Sequence, residues 1–385
     1  MRVTRLRRLL PLLILLVGLS ARLHAQEEER EPGTPWRLSY FPYLSGGAND
    51  GPVITARLRY WQPAEYEDRV TANAALDAAA GLTFRGSRFV GAKFTAPQMV
   101  EGWRFFVGAI ADRQVRFGYF GLGNDTEKDD DLVTESVPFL YRMRRTRYEG
   151  IVEATRRLRG PLQLSLQGDF ESVRFTSLPG PSVFTADFGE ELAQDDAAGR
   201  IALVYDTRDI EYNTKQGLLL EAGAQVGSGG DGYTRLYSVL RGYLQVREGT
   251  VVALRLAGSG MGGTPTLNAR FDLPAWEHHM AVLGGEQSHR SLDTGRLAGR
   301  GTLFGNLEVR HDLLPFGDLG AVTLLAFVDA GRVFEQESFR LTTDDMAVGG
   351  GGGVALRILR STIFTFNFAG GPDGFNFEVG SGWMF

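Results

Sequence analysis

The sequence predicts an all-β fold, a sixteen-stranded antiparallel transmembrane β-barrel, on three observations. Apolar residues recur with period two in runs of about ten residues or longer, which is strand spacing and not helix spacing. Turn-forming and ring-bearing residues are abundant, with 50 Gly and 25 Phe in 385 residues and an aromatic share of 11%. Connections between the runs alternate between short and long, as turns and loops do on the two sides of a membrane barrel. Soluble strands usually hold about five or six residues, whereas a tilted transmembrane strand needs roughly nine to eleven.

Composition excludes other classes. The chain has no Cys, so thiol catalysis, thiolate zinc sites and a disulfide framework are out. Its 41 Lys+Arg and 46 Asp+Glu give a net charge of -5, which argues against a nucleic-acid partner. Only 5 His occur. None has metal-ligand spacing, and the neighbouring His278 and His279 project apart. No catalytic constellation, metal or cofactor is expected. No later segment carries 18 consecutive apolar residues, so a helical membrane protein is excluded.

Taken in order, Met1 to Arg8 is basic and Leu9 to Leu19 is apolar. Ala21 or Ala25 offers a small residue for cleavage. That layout is a secretory signal peptide, so 1–25 is expected to be cleaved. Residues 26–35 form a short polar lead-in on the periplasmic side. Residues 36–385 show no linker and are read as one barrel domain. Strands are expected at 37–44, 52–62, 70–83, 87–97, 102–113, 137–158, 160–176 and 196–208. They continue at 215–228, 232–247, 249–260, 300–313, 319–334, 346–358, 361–370 and 374–385. The stretch from Leu162 to Phe170 is the most regular: Leu162, Leu164, Leu166 and Phe170 point one way, and Gln163, Ser165, Gln167 and Asp169 the other. Pro42 in the first strand cannot donate to a ladder, which suits a weak seam between the first and last strands.

Four segments stand out. The chain ends Val379-Gly-Ser-Gly-Trp-Met-Phe385, alternating toward a terminal aromatic. Trp383 and Phe385 are expected on the lipid face near the interface, and with Gly380 they form a C-terminal insertion signal. Asp206, Arg208 and Asp209, with Gly217 beyond them, are expected to pin a short turn. The 39 residues 261–299 form the longest loop and carry Gly284-Gly-Glu-Gln-Ser-His-Arg-Ser-Leu292. Downstream, Glu308 faces the lumen by alternation. Asp329 faces it because a carboxylate in lipid is costly. Arg290 on the loop can bridge both acids through its several donors. Asp129-Asp-Asp131 reads as a solvated loop, and the four Arg between Arg142 and Arg147 read as a solvated rim.

From 206 to 385 the sequence resembles the barrel of the BamA/TamA-like bacterial surface antigen superfamily. The features carrying the resemblance are Tyr205-Asp-Thr-Arg-Asp209 with a later Gly217, the loop-tip Arg290 after Gly284-Gly285, Glu308 on the twelfth strand, and Phe327-Val-Asp-Ala-Gly331 on the thirteenth. Phe120-Gly-Leu-Gly-Asn-Asp125 in the third long loop is similar as well. The tip departs from the pattern, with Ser291-Leu292 where the family has Gly and an aromatic. The resemblance implies that the sixth extracellular loop folds inward and that Arg290 locks on Glu308 and Asp329. It implies an integral outer-membrane barrel, not an enzyme, involved in protein insertion or translocation. A passive or gated pore and a structural surface-antigen barrel are the alternatives. The implied partners are outer-membrane lipid and lipopolysaccharide, the barrel assembly machinery during biogenesis, and a periplasmic partner or client proteins. Family members with translocation roles usually carry periplasmic POTRA modules. The ten residues 26–35 hold none, so a barrel-only form is expected.

Overall fold

The computed structural model describes residues 35–45, 50–275, 278–281, 283–285, 287–336, 339–359 and 361–385. The expected signal segment 1–25, and the lead-in before Pro35, lie outside the described residues. Sixteen strands pair antiparallel in sequence order within one sheet. They are β1 (Arg37–Ser45), β2 (Val53–Pro63), β3 (Ala72–Thr83), β4 (Arg88–Val100), β5 (Trp103–Gly118), β6 (Arg142–Arg159), β7 (Leu162–Thr176) and β8 (Glu191–Asp206). There follow β9 (Gly217–Gly227), β10 (Gly232–Arg247), β11 (Thr250–Thr264), β14 (Gly301–Pro315), β15 (Gly320–Phe334), β16 (Ala347–Ile358), β17 (Thr362–Gly371) and β18 (Gly374–Ser381). A separate hairpin, β12 (Asp272–Ala275) with β13 (His278–Ala281), lies inside the longest connection.

The order and number of barrel strands agree with the period-two reading, and the boundaries differ where charge hides the pattern. Strand β5 continues to Gly118, beyond the expected 113. A register shift between Gln114 and Phe117 carries the ladder past the polar stretch, and Phe117 then pairs with Met143. Strand β6 starts at Arg142 and not at 137. Strand β8 starts at Glu191, because Glu191, Gln194, Asp195 and Asp196 make the start of the strand polar on both faces, which reads as loop.

The two faces explain why the sheet belongs in lipid. Leu58, Leu76, Val107, Val152, Leu166 and Leu203 are exposed on the outer face. Asp77, Glu153, Arg200, Glu221, Arg255 and Glu308 are buried on the inner one. A polar lumen inside an apolar belt is the membrane-barrel inversion. Luminal charges are matched: Arg200 donates to Glu221 at 2.8 Å and to Glu153 at 3.0 Å. The sheet curls until Cα atoms of β1 and β18 come within 8 Å. No ladder joins these two strands among the described residues.

Loops fill the extracellular end. Phe117, Tyr119, Phe175, Phe184 and Phe271 form one buried cluster. Phe184 comes from α1 (Val183–Phe188), a single turn started by a Ser182/Thr185 capping box. Asp130 and Asp131 stay exposed, as expected. The arginines near the start of β6 do not form a solvated rim. Arg145 is buried against Phe117, with its guanidinium 4.2 Å from the ring centroid, and Arg147 pairs with Asp112 at 2.7 Å. Acceptors inside the lumen draw them inward.

Candidate functional site

The loop between β11 and β14 enters the lumen, and its tip is a tight turn. Gly285 donates to the Leu292 carbonyl at 3.0 Å, and its own carbonyl accepts from Ser288 and His289. Gly284 has φ 145°, and a Cβ there would lie 2.1 Å from the Asp293 carbonyl oxygen. The glycine pair is therefore required by the turn.

Arg290 leaves this tip and is 1% exposed. Its Nη1 is 2.5 Å from Glu308 on β14. Its Nε and Nη2 donate to the two oxygens of Asp329 on β15, at 3.0 and 2.9 Å. The Arg290 backbone N–H adds a bond to Asp329 at 3.0 Å. Burial disfavours the charged guanidinium, and the Asp329 and Glu308 contacts outweigh it, holding Arg290 above its ordinary proton affinity. Asn306 stands between the partners, donating to Asp329 at 2.8 Å and to the Ser288 carbonyl at 2.7 Å. The three expected lock residues are thus in direct contact.

The departure at the tip has a steric reason. Ser291 is fully buried, takes no left-handed backbone, and abuts Gly349 and Gly371. A Cβ at Gly349 would lie 1.8 Å from the Ser291 hydroxyl. Leu292 packs with Leu273, Leu283 and Leu297. Three contributors had no role at the lock in the sequence reading. Phe327 places its ring 3.3 Å from the Arg290 guanidinium. Asp373 accepts from Arg296 at 3.0 Å and from the Asp293 backbone at 2.9 Å. Gly349 of β16 and Gly371 of β17 make room for Ser291 at the tip. Five consecutive glycines inside a strand were the available signal, since such glycines mark a close approach.

The C-terminus differs from expectation. The ladder stops at Ser381, and the last residues turn into the lumen and not onto the lipid face. Phe385 is 8% exposed and packs on Tyr243, Val251 and Ala253. Trp383 donates from Nε1 to Asn213 at 2.9 Å. Arg310 stacks on both rings and donates to the Phe385 carbonyl at 2.9 Å. The cation and the acceptors within the barrel give these residues partners that hydrocarbon lacks. Gly380 remains in the β18 ladder opposite Thr365. Arg310 also donates to Glu308 at 2.7 Å. One carboxylate therefore touches both the loop lock and the cation that holds the tail.

The turn after β8 is a strap and not merely a pinned turn. Arg208 donates to Asp206 through Nε and Nη2, both at 3.0 Å. Asp209 accepts from the backbones of Ile210 and Lys215. Gly217 has φ 112°, and a Cβ would fall 2.3 Å from the Thr207 carbonyl oxygen, so glycine alone fits. Beyond this knot Glu211 reaches Arg104 on β5 through two bonds of 2.9 Å. Asn213 meets Trp383. The strap thus spans the periplasmic mouth. Pro42 lies in β1 opposite Ala56 of β2, on the strand that has no partner on its other side among the described residues.

The Omp85 superfamily domain matches residues 55–382. Among solved structures, the fold is similar to BamA from Haemophilus ducreyi lacking POTRA domains 1–3, with TM-score 0.58 and 11% identity. It is also similar to CdiB from Acinetobacter baumannii (0.51 and 12%) and CdiB from Escherichia coli (0.57 and 10%). The alignments cover 90%, 89% and 90% of this chain. The chain spans 70%, 65% and 62% of those three. Among curated proteins none matches the sequence.

Proposed function

Since the chain belongs to the Omp85 superfamily and is an integral outer-membrane β-barrel, we propose that it inserts or translocates proteins, with client strands admitted at the seam between β1 and β18. The observation that carries this reading is the pair of edge strands, which come within 8 Å of each other and share no ladder among the described residues. An edge strand presents unpaired N–H and C=O groups, which is a template for an incoming strand. The Arg290 lock serves as the reference that keeps the rest of the barrel rigid while the seam moves. Glu308 ties that lock, through Arg310, to the tail that follows β18. An open porin is the poorer reading, because buried loop residues fill the extracellular half of the lumen. Lipid and lipopolysaccharide around the belt, and a periplasmic partner or the clients themselves, are the partners this role requires.

The test exploits the absence of cysteine. One cysteine is placed in β1 and one in β18, and the protein is reconstituted in liposomes with an unfolded outer-membrane protein as client. Insertion should stop when the disulfide forms and resume on reduction. Equal insertion in both redox states would remove the seam from the mechanism.

A further inference from the structure

Four arginines stand on the outer face of the sheet at the extracellular ends of neighbouring strands: Arg88 on β4, Arg113 on β5, Arg144 on β6 and Arg174 on β7. Each is in phase with an exposed apolar residue of its own strand, Val90, Val107, Val152 and Phe170 in turn. The register aligns them. Arg88 is opposite Arg113, Arg113 is opposite Thr146, and Thr146 is opposite Arg174. Arg144 lies two residues above Thr146 on the same face. The row spans three strand spacings, about 14 Å. Arg88 and Arg174 are exposed, and Arg113 and Arg144 are half-buried. No ion pair or side-chain hydrogen bond engages Arg88, Arg113 or Arg144 among the described residues. Two acids, Glu191 and Asp195, stand exposed on β8 beside the row. Glu191 lies 3.6 Å from Arg174, and both side chains are largely exposed, so the pair contributes little. Like charges directly opposite on one sheet face, as Arg88 and Arg113 are, destabilise the pair. A cation facing hydrocarbon is costly, which sets the row at headgroup height.

Directly below the row the face becomes apolar and smooth. The next two rows hold Val90, Ala111 and Tyr148, then Ala92, Ala109 and Gly150. A Cβ at Gly150 or Gly168 would meet nothing within 4 Å, so the surface is open there, beside the exposed rings of Tyr148 and Phe170. We propose that this face of β4 to β7 binds a phosphorylated glycolipid of the outer leaflet, of the lipopolysaccharide class, with its phosphates on the arginine row and its acyl chains over the small residues beneath. A guanidinium fork matches two oxygens of a phosphate. Arginines spread along one row suit a sugar headgroup that carries more than one phosphate, where a phospholipid offers one. Cations at headgroup height above an apolar surface repeat the order of charge and hydrocarbon in such a lipid. The inference rests on the lipopolysaccharide contact proposed above, names where that contact is made, and does not depend on client insertion.

The experiment is native mass spectrometry of the full chain in neutral detergent, equilibrated with graded amounts of each lipid. The probes are a deep-rough lipopolysaccharide with its headgroup phosphates, the same lipid after phosphatase treatment, and dioleoyl phosphatidylglycerol. Wild type should retain the phosphorylated glycolipid and bind the other two about tenfold more weakly or worse. Arg113→Gln, at the centre of the row, should lose about tenfold in apparent affinity for the phosphorylated glycolipid, the loss expected for one charged hydrogen bond. It should bind the phosphatase-treated lipid as wild type does. Arg332 supplies the control: it faces outward near the extracellular end of β15 and donates to the Asp344 carbonyl. Arg332→Gln removes the same charge elsewhere on the rim and should bind as wild type does. Heat-modifiable gel mobility establishes that each variant is folded. Equal binding by wild type and Arg113→Gln, or an equal loss in Arg332→Gln, would overturn the proposal. Phosphatidylglycerol held as tightly as the phosphorylated glycolipid would overturn it too, assigning the row to anionic lipid in general. No retention of the phosphorylated glycolipid by wild type would remove the lipopolysaccharide contact altogether. No client enters these readings, so a failure of the insertion role would leave them unchanged.

Discussion

At the residue scale, the lock depends on charge and on space. Gly349 provides the space: a Cβ there would meet the Ser291 hydroxyl at 1.8 Å. Gly349→Ala should therefore lower unfolding stability by about 1–3 kcal/mol, the usual cost of overpacking. Adding Ser291→Gly should recover part of that loss, and urea unfolding of the single and double variants measures both. Ser291 tolerates its position because its backbone is not left-handed, which is why the tip can forgo the family's glycine. His289 provides a pH dependence. Its ring is fully buried and contacts the Ala347 carbonyl at 3.0 Å. Burial pushes its proton affinity below the ordinary value, with the Arg290 charge acting the same way and the Ala347 bond, Asp329 and Asp373 opposing. An opened loop then binds a proton that the docked loop refuses. The contribution of His289 is present above about pH 6.5 and is lost as the pH falls through the docked value. Protease cleavage of the loop should rise from pH 7 to pH 5, where carboxylates with ordinary values near 4 stay ionised. His289→Gln should flatten that profile. A profile unchanged by the substitution would place the titration elsewhere.

At the element scale, the tail, the strap and the first strand each make a separate prediction. Phe385 buries its ring on Tyr243, Val251 and Ala253. Phe385→Ala should cost about 1.5–3 kcal/mol, the value of one buried aromatic side chain. It should also lower the fraction that reaches the heat-modifiable form in cells. A gel comparison of boiled and unboiled membranes reads the second effect. Pro42 has no N–H to give, so Pro42→Val should strengthen β1, raise the thermal midpoint and slow client insertion. A stable variant with an unchanged rate would mean that the seam does not open during the reaction. Which elements were legible follows from what alternation can carry. Period two located all sixteen barrel strands because lipid demands apolar residues outside. The same rule placed Trp383 and Phe385 on lipid, because it cannot register a backbone that leaves the ladder at Gly382 for a cation inside. The strap was invisible for a related reason. Glu211 meets Arg104 across 107 residues, and no local pattern encodes so distant a pairing. Glu308 and Asp329 were legible, since an acid on a membrane strand has only the lumen to face.

At the scale of the whole molecule, three ties converge on one end of the sheet. The loop tip binds β14 and β15, the tail binds β14, and the strap binds the tail. Strand β18 is itself tied to the loop tip, its Asn376 amide donating to the Arg290 carbonyl at 3.4 Å, and no ladder joins it to the nearby β1 among the described residues. The barrel is thus fastened around its lock, with the unladdered β1–β18 edge as its looser boundary, and this division is the central claim. The direct measurement is hydrogen–deuterium exchange of wild type and Arg290→Ala in lipid nanodiscs. Removing one partner of a buried ion pair costs about 3–5 kcal/mol. Residues 283–298, apart from those outside the described set, should be protected in wild type and exchange far faster in the variant. The central strands β6 to β11 should keep their protection, and β1 and β18 should exchange quickly in both proteins. Arg290→Lys should restore part of the protection, because an ammonium lacks the forked geometry. Equal loop protection in wild type and Arg290→Ala, or β1 and β18 as protected as the central strands, would contradict the account.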